Sequence, residues 1–181
     1  WLLGAEQPVE WDPDRAPVVT GRKLVVQPVL MHATYRRREA TSWRSWGSVN
    51  TPEAAAEEAG RVNKELAALG AAVDFPLELR PLVIVTSVEA ARKIHGSDYD
   101  VVLIYPATGS AAVLRACFPP EQPKDAVIFA RHESGPTYYW YEAIGTRVLA
   151  KGTPEELARN TADHHGPPTV QDVVIDDYGE L

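Results

Sequence analysis

The sequence predicts an α/β fold: a three-layer sandwich around a mainly parallel, Rossmann/flavodoxin-like sheet of about five strands. Three observations carry that expectation. Short apolar runs rich in β-branched residues recur at 23–31, 82–85, 101–105, 126–130 and 170–175. Unbroken apolarity, rather than alternation, marks strands covered on both faces, as in parallel sheets. Helix-spaced segments separate these runs, and strand–helix alternation calls for parallel strands joined by right-handed crossovers. Finally, DVVLIYPATGSAAVL at 100–114 displays one complete unit: strand, proline, small-residue turn and helix start.

Taken in order, residues 1–22 read as an extended arm, with Pro8, Pro13 and Pro17 and no steady periodicity. Trp1, Leu2, Leu3 and Trp11 make the arm apolar enough to lie on a protein body, including that of another subunit. The α/β domain is assigned to 23–181. Its first strand, KLVVQPVLM at 23–31, contains Pro28, which argues against a central position because proline gives no N–H to a ladder. The connection 32–51 is long and rich in arginine and tryptophan, and loops of that length are usually functional. A helix is expected at 52–69, with Thr51 as N-cap, Pro52 at its first position and Gly70 as its stop. Ala55, Ala59, Val62, Leu66 and Leu69 form its apolar stripe. A strand interrupted by Pro76 and Pro81 follows, then a short helix at 88–95 capped by Ser87. Pro106 ends the strand at 101–105, and Ser110 or Thr108 caps the helix beginning at Ala111. After the strand at 126–130, helices are expected at 137–149 and 154–161, then the last strand at 170–175.

A chain of 181 residues, 45% hydrophobic and 24% charged, has the size and proportions of one soluble globular domain. The net charge of −7 argues against nonspecific binding to nucleic acid or anionic membranes. No apolar run approaches the roughly 20 residues that a membrane helix needs. The single Cys117 excludes an internal disulfide and multi-cysteine metal sites, and it points to a reducing, cytoplasmic compartment. The ends read as those of a piece, the N-terminal part, of a longer chain. The first residue is Trp1, and VQDVVIDDYGEL at the other end is a strand followed by acids suited to a helix start.

Ligands of open α/β sheets sit in the crevice beyond the strands' carboxyl ends. Two segments should reach it. In the turn at 106–110, Thr108, Gly109 and Ser110 can offer donors to a phosphate, a carboxylate or a sugar hydroxyl. The plainer reading is an ordinary tight turn, since neither a P-loop nor a GxGxxG is present. At the tip of the next strand, Arg131, His132 and Glu133 form a charged cluster, with His132 suited to acid–base work or to a polyol hydroxyl. Against that, Arg131 and Glu133 can simply pair, with His132 capping a helix. Trp43 and Arg44, with Arg37 and Trp46, have the chemistry to stack on a sugar ring and fork to its hydroxyls. The same residue types also anchor subunit interfaces. Asp163-His164-His165 reads as a solvated loop rather than a metal pair, and Asp176-Asp177 as a helix start. No metal ligand is assigned, and no catalytic residue can be picked out. Cys117 reads as buried and inert.

Together REATSWRSWG, DVVLIYPATGS, VIFARHESGPTYYWYE and VVIDDYGEL resemble the N-terminal region of bacterial proteins related to L-fucose and L-arabinose isomerases, from about Lys23 onward. That resemblance implies a substrate-side and assembly domain of a metal-dependent aldose–ketose isomerase, working as a homo-oligomer on a sugar or polyol. It implies proton transfer between adjacent carbons with Mn2+ or another divalent metal, whose ligands belong to later domains. This chain alone would then bind no cofactor and be inactive. Residue chemistry by itself leaves an alternative open, a non-catalytic sugar- or anion-binding module of periplasmic-binding type.

Overall fold

Eight consecutive residues, β1 (Leu24–Met31), supply the axis on which the other strands are laid. In this computed structural model the described residues are 21–34, 49, 51–120, 124–131, 168, 172–179 and 181. In chain order the elements are β1, α1 (Pro52–Ala72), β2 (Leu77–Leu79), β3 (Val83–Val85), α2 (Val88–Ile94), β4 (Val101–Pro106), α3 (Ala111–Cys117), β5 (Asp125–Ala130) and β6 (Val173–Ile175). The sheet runs β2-β1-β4-β5-β6, with β3 beside β2 on the same side of β1, and every pairing is parallel. Because β2 and β3 are two halves of one line, the sheet has five strand lines in flavodoxin-like order. The expected α/β class stands.

Pro28 is the point at which the expectation about β1 fails. The strand is central, pairing with β2 and β3 on one side and β4 on the other. Backbone groups of successive strand residues point to alternate sides. Val26 accepts from Arg80 N on the β2 side, whereas Val25 accepts from Asp100 N on the β4 side. Pro28 therefore directs its missing N–H toward the gap between Leu79 and Val83, where no ladder bond is lost. The Gln27 amide closes that gap by donating to Pro28 O (3.1 Å) and Pro81 O (3.0 Å). Pro106 is likewise tolerated inside β4, paired with Met31, because its imino face is turned to the β5 side beyond the last pair, Ile104–Ile128.

Two apolar layers sandwich the sheet. Val29, Met31, Val102, Ile104 and Ile128 pack with Ala91 and Ile94 of α2 and with Leu114 and Cys117 of α3. On the other face Leu30, Leu103, Tyr105 and Phe129 meet Ala55, Val62 and Leu66 of α1. The Thr51 hydroxyl accepts from Ala54 N (3.1 Å), and Pro52 occupies the first turn as expected. However, α1 continues to Ala72 rather than stopping at Gly70. A Cβ at position 70 would lie 3.0 Å from Leu79 Cδ1, so this glycine serves close helix–sheet approach, not termination. At the far end Asp176 takes a positive φ of 54°, and Asp177 Oδ1 accepts from Gly179 N (2.7 Å). These two acids open a turn here, not the helix the sequence suggested.

Residues 1–20, most of the long connection after β1, and the helices expected at 137–149 and 154–161 lie outside the described residues. Among the described residues no helix is long and apolar enough to cross a membrane.

Candidate functional site: the crevice between β1 and β4

From β1 the chain crosses through α1 to β2 on one side, and from β3 through α2 to β4 on the other. The sheet order therefore reverses between β1 and β4, and the crevice beyond their carboxyl ends is where this architecture receives ligands. Its floor is tightly tied. Ala107 N and Thr108 N both donate to Met31 O, at 2.9 and 3.3 Å. The Thr108 hydroxyl donates to Val49 O (2.8 Å) and accepts from Ala33 N (3.0 Å), fastening the start of the long connection to the β4 turn. Gly109 has φ +143°, and a Cβ there would sit 2.8 Å from Met31 Cε. Only glycine fits.

Each residue of the 106–110 turn can now be weighed. Thr108 is 4% exposed, and its hydroxyl has one lone pair left beyond the bonds just described. Ser110 is exposed at the lip and caps α3, accepting from Val113 N at 3.4 Å. With the Ala107 and Thr108 amides already engaged and α3 only seven residues long, the turn is poorly built as a phosphate cradle. It is a structural floor with a polar edge.

At the tip of β5, on the same edge of the sheet, Arg131 meets two carboxylates of α1. Its Nε lies 3.0 Å from Glu58 Oε1, an ion pair whose N–H is not aimed along a hydrogen bond. Nη1 donates to Glu65 Oε2 and to the Tyr178 hydroxyl (3.3 Å). Tyr178 in turn donates to Glu65 (2.6 Å) and lies 3.3 Å from the Tyr105 hydroxyl. Glu58 is fully buried and is also held by Arg61, whose Nε donates to its Oε2 at 2.9 Å. Burial alone would raise the Glu65 carboxyl, but bonds from Arg131 and Tyr178 outweigh it and hold it below the usual range. For Tyr178, burial first and the Glu65 bond second push the hydroxyl up to about 12.

Arg131 thus pairs across the fold with Glu58 and Glu65, while Glu133, its partner in the plainer sequence reading, lies outside the described residues. It braces α1 against β5 and the segment after β6, forming a side wall of the crevice. Its donors toward a substrate are correspondingly few. His132, Glu133, Trp43 and Arg44, also expected at the site, lie outside the described residues.

Sequence reasoning passed over His32. It follows the last residue of β1, is 7% exposed, and its Nδ1 is buried without a hydrogen-bond partner among the described residues. Its own N–H donates to Val85 O (3.0 Å), and the next residue bonds Thr108, so it stands between the tips of β3 and β4. Burial lowers its pKa, which keeps the imidazole neutral. The legible signal was its position, a histidine directly after a buried strand's final apolar residue.

A second hollow among the described residues lies elsewhere. A groove of about 200 Å³ near the amino ends of the strands is lined by Leu24, Leu69, Phe75, Leu103, Val127, Leu181 and similar side chains. Its lining side chains are all apolar and offer little to orient a hydrophilic ligand, so the β1–β4 crevice remains the better candidate. Among the described residues no three His, Cys, Asp or Glu side chains gather closely enough to hold a metal ion. The resemblance puts the ligands of its divalent metal in later domains, not among these residues.

No family model matches this chain, and comparison with curated proteins and with solved structures likewise finds no match.

Proposed function

We propose that this chain holds a sugar or polyol in the crevice between β1 and β4, as the substrate-side and assembly domain of a metal-dependent aldose–ketose isomerase. The observation that supports the binding half of this reading is the crevice itself. It lies at the point where the strand order reverses, has a floor fixed by Thr108 and Gly109, and is bordered by a neutral, buried imidazole. Polyhydroxyl ligands are uncharged and carry both donors and acceptors, which suits a site with few free amides and no free cation among its described walls. The isomerase half rests on the segment resemblance described above. In this reading the working protein is a homo-oligomer, with Trp43, Arg44, His132 and Glu133 as further sugar contacts. Cytoplasmic residence is part of it, since the single cysteine, Cys117, is free rather than in a disulfide.

The test pairs two assays. The complete gene product, supplied with manganese, is incubated with a panel of aldoses while ketose formation is followed. This chain is titrated calorimetrically with the same sugars and the matching polyols. Conversion together with binding is the expected result. Binding without conversion favours the non-catalytic sugar-binding module instead, and the absence of both ends the sugar reading.

A further inference from the structure

We infer that His32 is the hydrogen-bonding contact for a ligand hydroxyl at the β1–β4 crevice; this rests on the sugar or polyol reading above and adds a residue to it. A comparison inside the same molecule makes the argument. His95 is a histidine used for structure, and both ring nitrogens are engaged, Nδ1 with the Tyr99 hydroxyl (2.7 Å) and Nε2 with Ala116 O (2.9 Å). His32 is more deeply buried than His95, yet its Nδ1 has no hydrogen-bond partner among the described residues. Buried polar atoms are almost always bonded, and an exception needs a reason. The place of this exception supplies one. It falls at the reversal point of the sheet, next to the residues that tie β1 to β4.

The chemistry also limits the ligand. A neutral imidazole nitrogen either accepts or donates one hydrogen bond, depending on the tautomer. A hydroxyl group satisfies both cases because it can donate and accept. A carboxylate accepts only and so fits just the Nδ1–H tautomer, and burial opposes the charged imidazole that would hold an anion most tightly. The ligand class is therefore an uncharged polyhydroxyl compound rather than an anion.

The experiment follows the five histidines of the 15N-labelled chain by imidazole NMR, with His32 assigned by the signal lost in His32→Gln. Xylitol and L-arabinose are the probes, and inorganic phosphate is the control. The expected result is a shift of the His32 Nδ1 resonance with a probe sugar or polyol and none with phosphate. In His32→Leu, affinity for the same probe should fall about tenfold, the loss of one net hydrogen bond, without a lower melting temperature. Should the Leu variant not fold, the wild-type Nδ1 shift alone decides. Wild-type binding that leaves Nδ1 unmoved, or equal binding by His32→Leu, overturns the role of His32 and spares the sugar reading. A response to phosphate alone overturns the ligand class. If the wild-type chain binds neither probe nor any other sugar of the panel, the function proposed above falls and this inference with it.

Discussion

Replacing Arg131 with methionine puts the crevice wall to the test. The substitution keeps an unbranched chain of similar length but removes a guanidinium whose side chain is 8% exposed. Glu58, with no exposed surface, then loses one of its charge partners and keeps its ion pair with Arg61. Breaking a buried ion pair from one side costs about 3–5 kcal/mol, because the surviving charge loses its compensation. Arg61 remains on Glu58 through a side chain that is 47% exposed, so the cost should lie at the lower end, about 3 kcal/mol. For a domain of this size each kcal/mol moves the melting temperature by about 2–4 °C, giving a drop of about 6–12 °C. Glu58→Met should cost less, since it removes the buried charge itself and leaves Arg131 with Glu65 and Tyr178. Scanning calorimetry on the wild type, both single variants and the double variant reads the coupling, expected at about 1–3 kcal/mol. A drop below about 2 °C for Arg131→Met, or strict additivity in the double variant, would refute the brace. Unchanged melting with lost sugar affinity would hand Arg131 back to the ligand.

Acidification should destabilise the fold in two stages. The folded pKa of His32 lies below its unfolded value, so the unfolded chain binds the extra proton and stability declines as pH falls below about 6.5. Glu65 is also depressed when folded, so its contribution is complete above its unfolded pKa and is lost as pH falls through the folded one. Melting curves against pH should show both limbs, with His32→Gln removing the upper and Glu65→Gln the lower. Gly109→Ala should cost about 1–3 kcal/mol in urea unfolding, through its positive φ and the approach to Met31. A neutral result there means the turn relaxes freely. Thr108→Val should cost a similar amount, about 1–3 kcal/mol, by leaving Val49 O and Ala33 N without their partner. Cys117, buried and with its thiol pushed up to about 12, should react with a thiol reagent only after denaturant unfolds the chain.

The strands were legible because burial on both faces writes itself as runs of Val, Ile and Leu, and α1 was legible from its Thr51-Pro52 start and its apolar stripe. The misreadings share a cause. Pro28 and Gly70 each look like an interruption when judged by local rules, and each is explained by a partner distant in sequence. Pro28 faces a gap between β2 and β3, Gly70 makes room for Leu79, and Glu58 is neutralised by Arg131. Pairwise charge matching across a fold leaves no periodic trace, so Glu58 reads as an ordinary polar position of a helix. The sequence put Arg131 and the 106–110 turn at one edge of the sheet, and they do share it. Their roles were not legible, because a hydroxyl or guanidinium that binds substrate and one that ties two loops together are written with the same residue. His32 was missed for the opposite reason. A lone histidine carries no motif, and only its burial and unbonded nitrogen single it out.

The central claim is that ligand enters where β1 and β4 part at their carboxyl ends. Backbone amide NMR of the chain during titration with L-arabinose and xylitol tests it most directly. Shifts should concentrate at His32, Ala33 and Ala107 to Ser110, with Leu24, Val101 and Leu181 at the amino ends of the strands unmoved. Shifts gathered around Leu24, Val101 and Leu181, with the crevice silent, would contradict it.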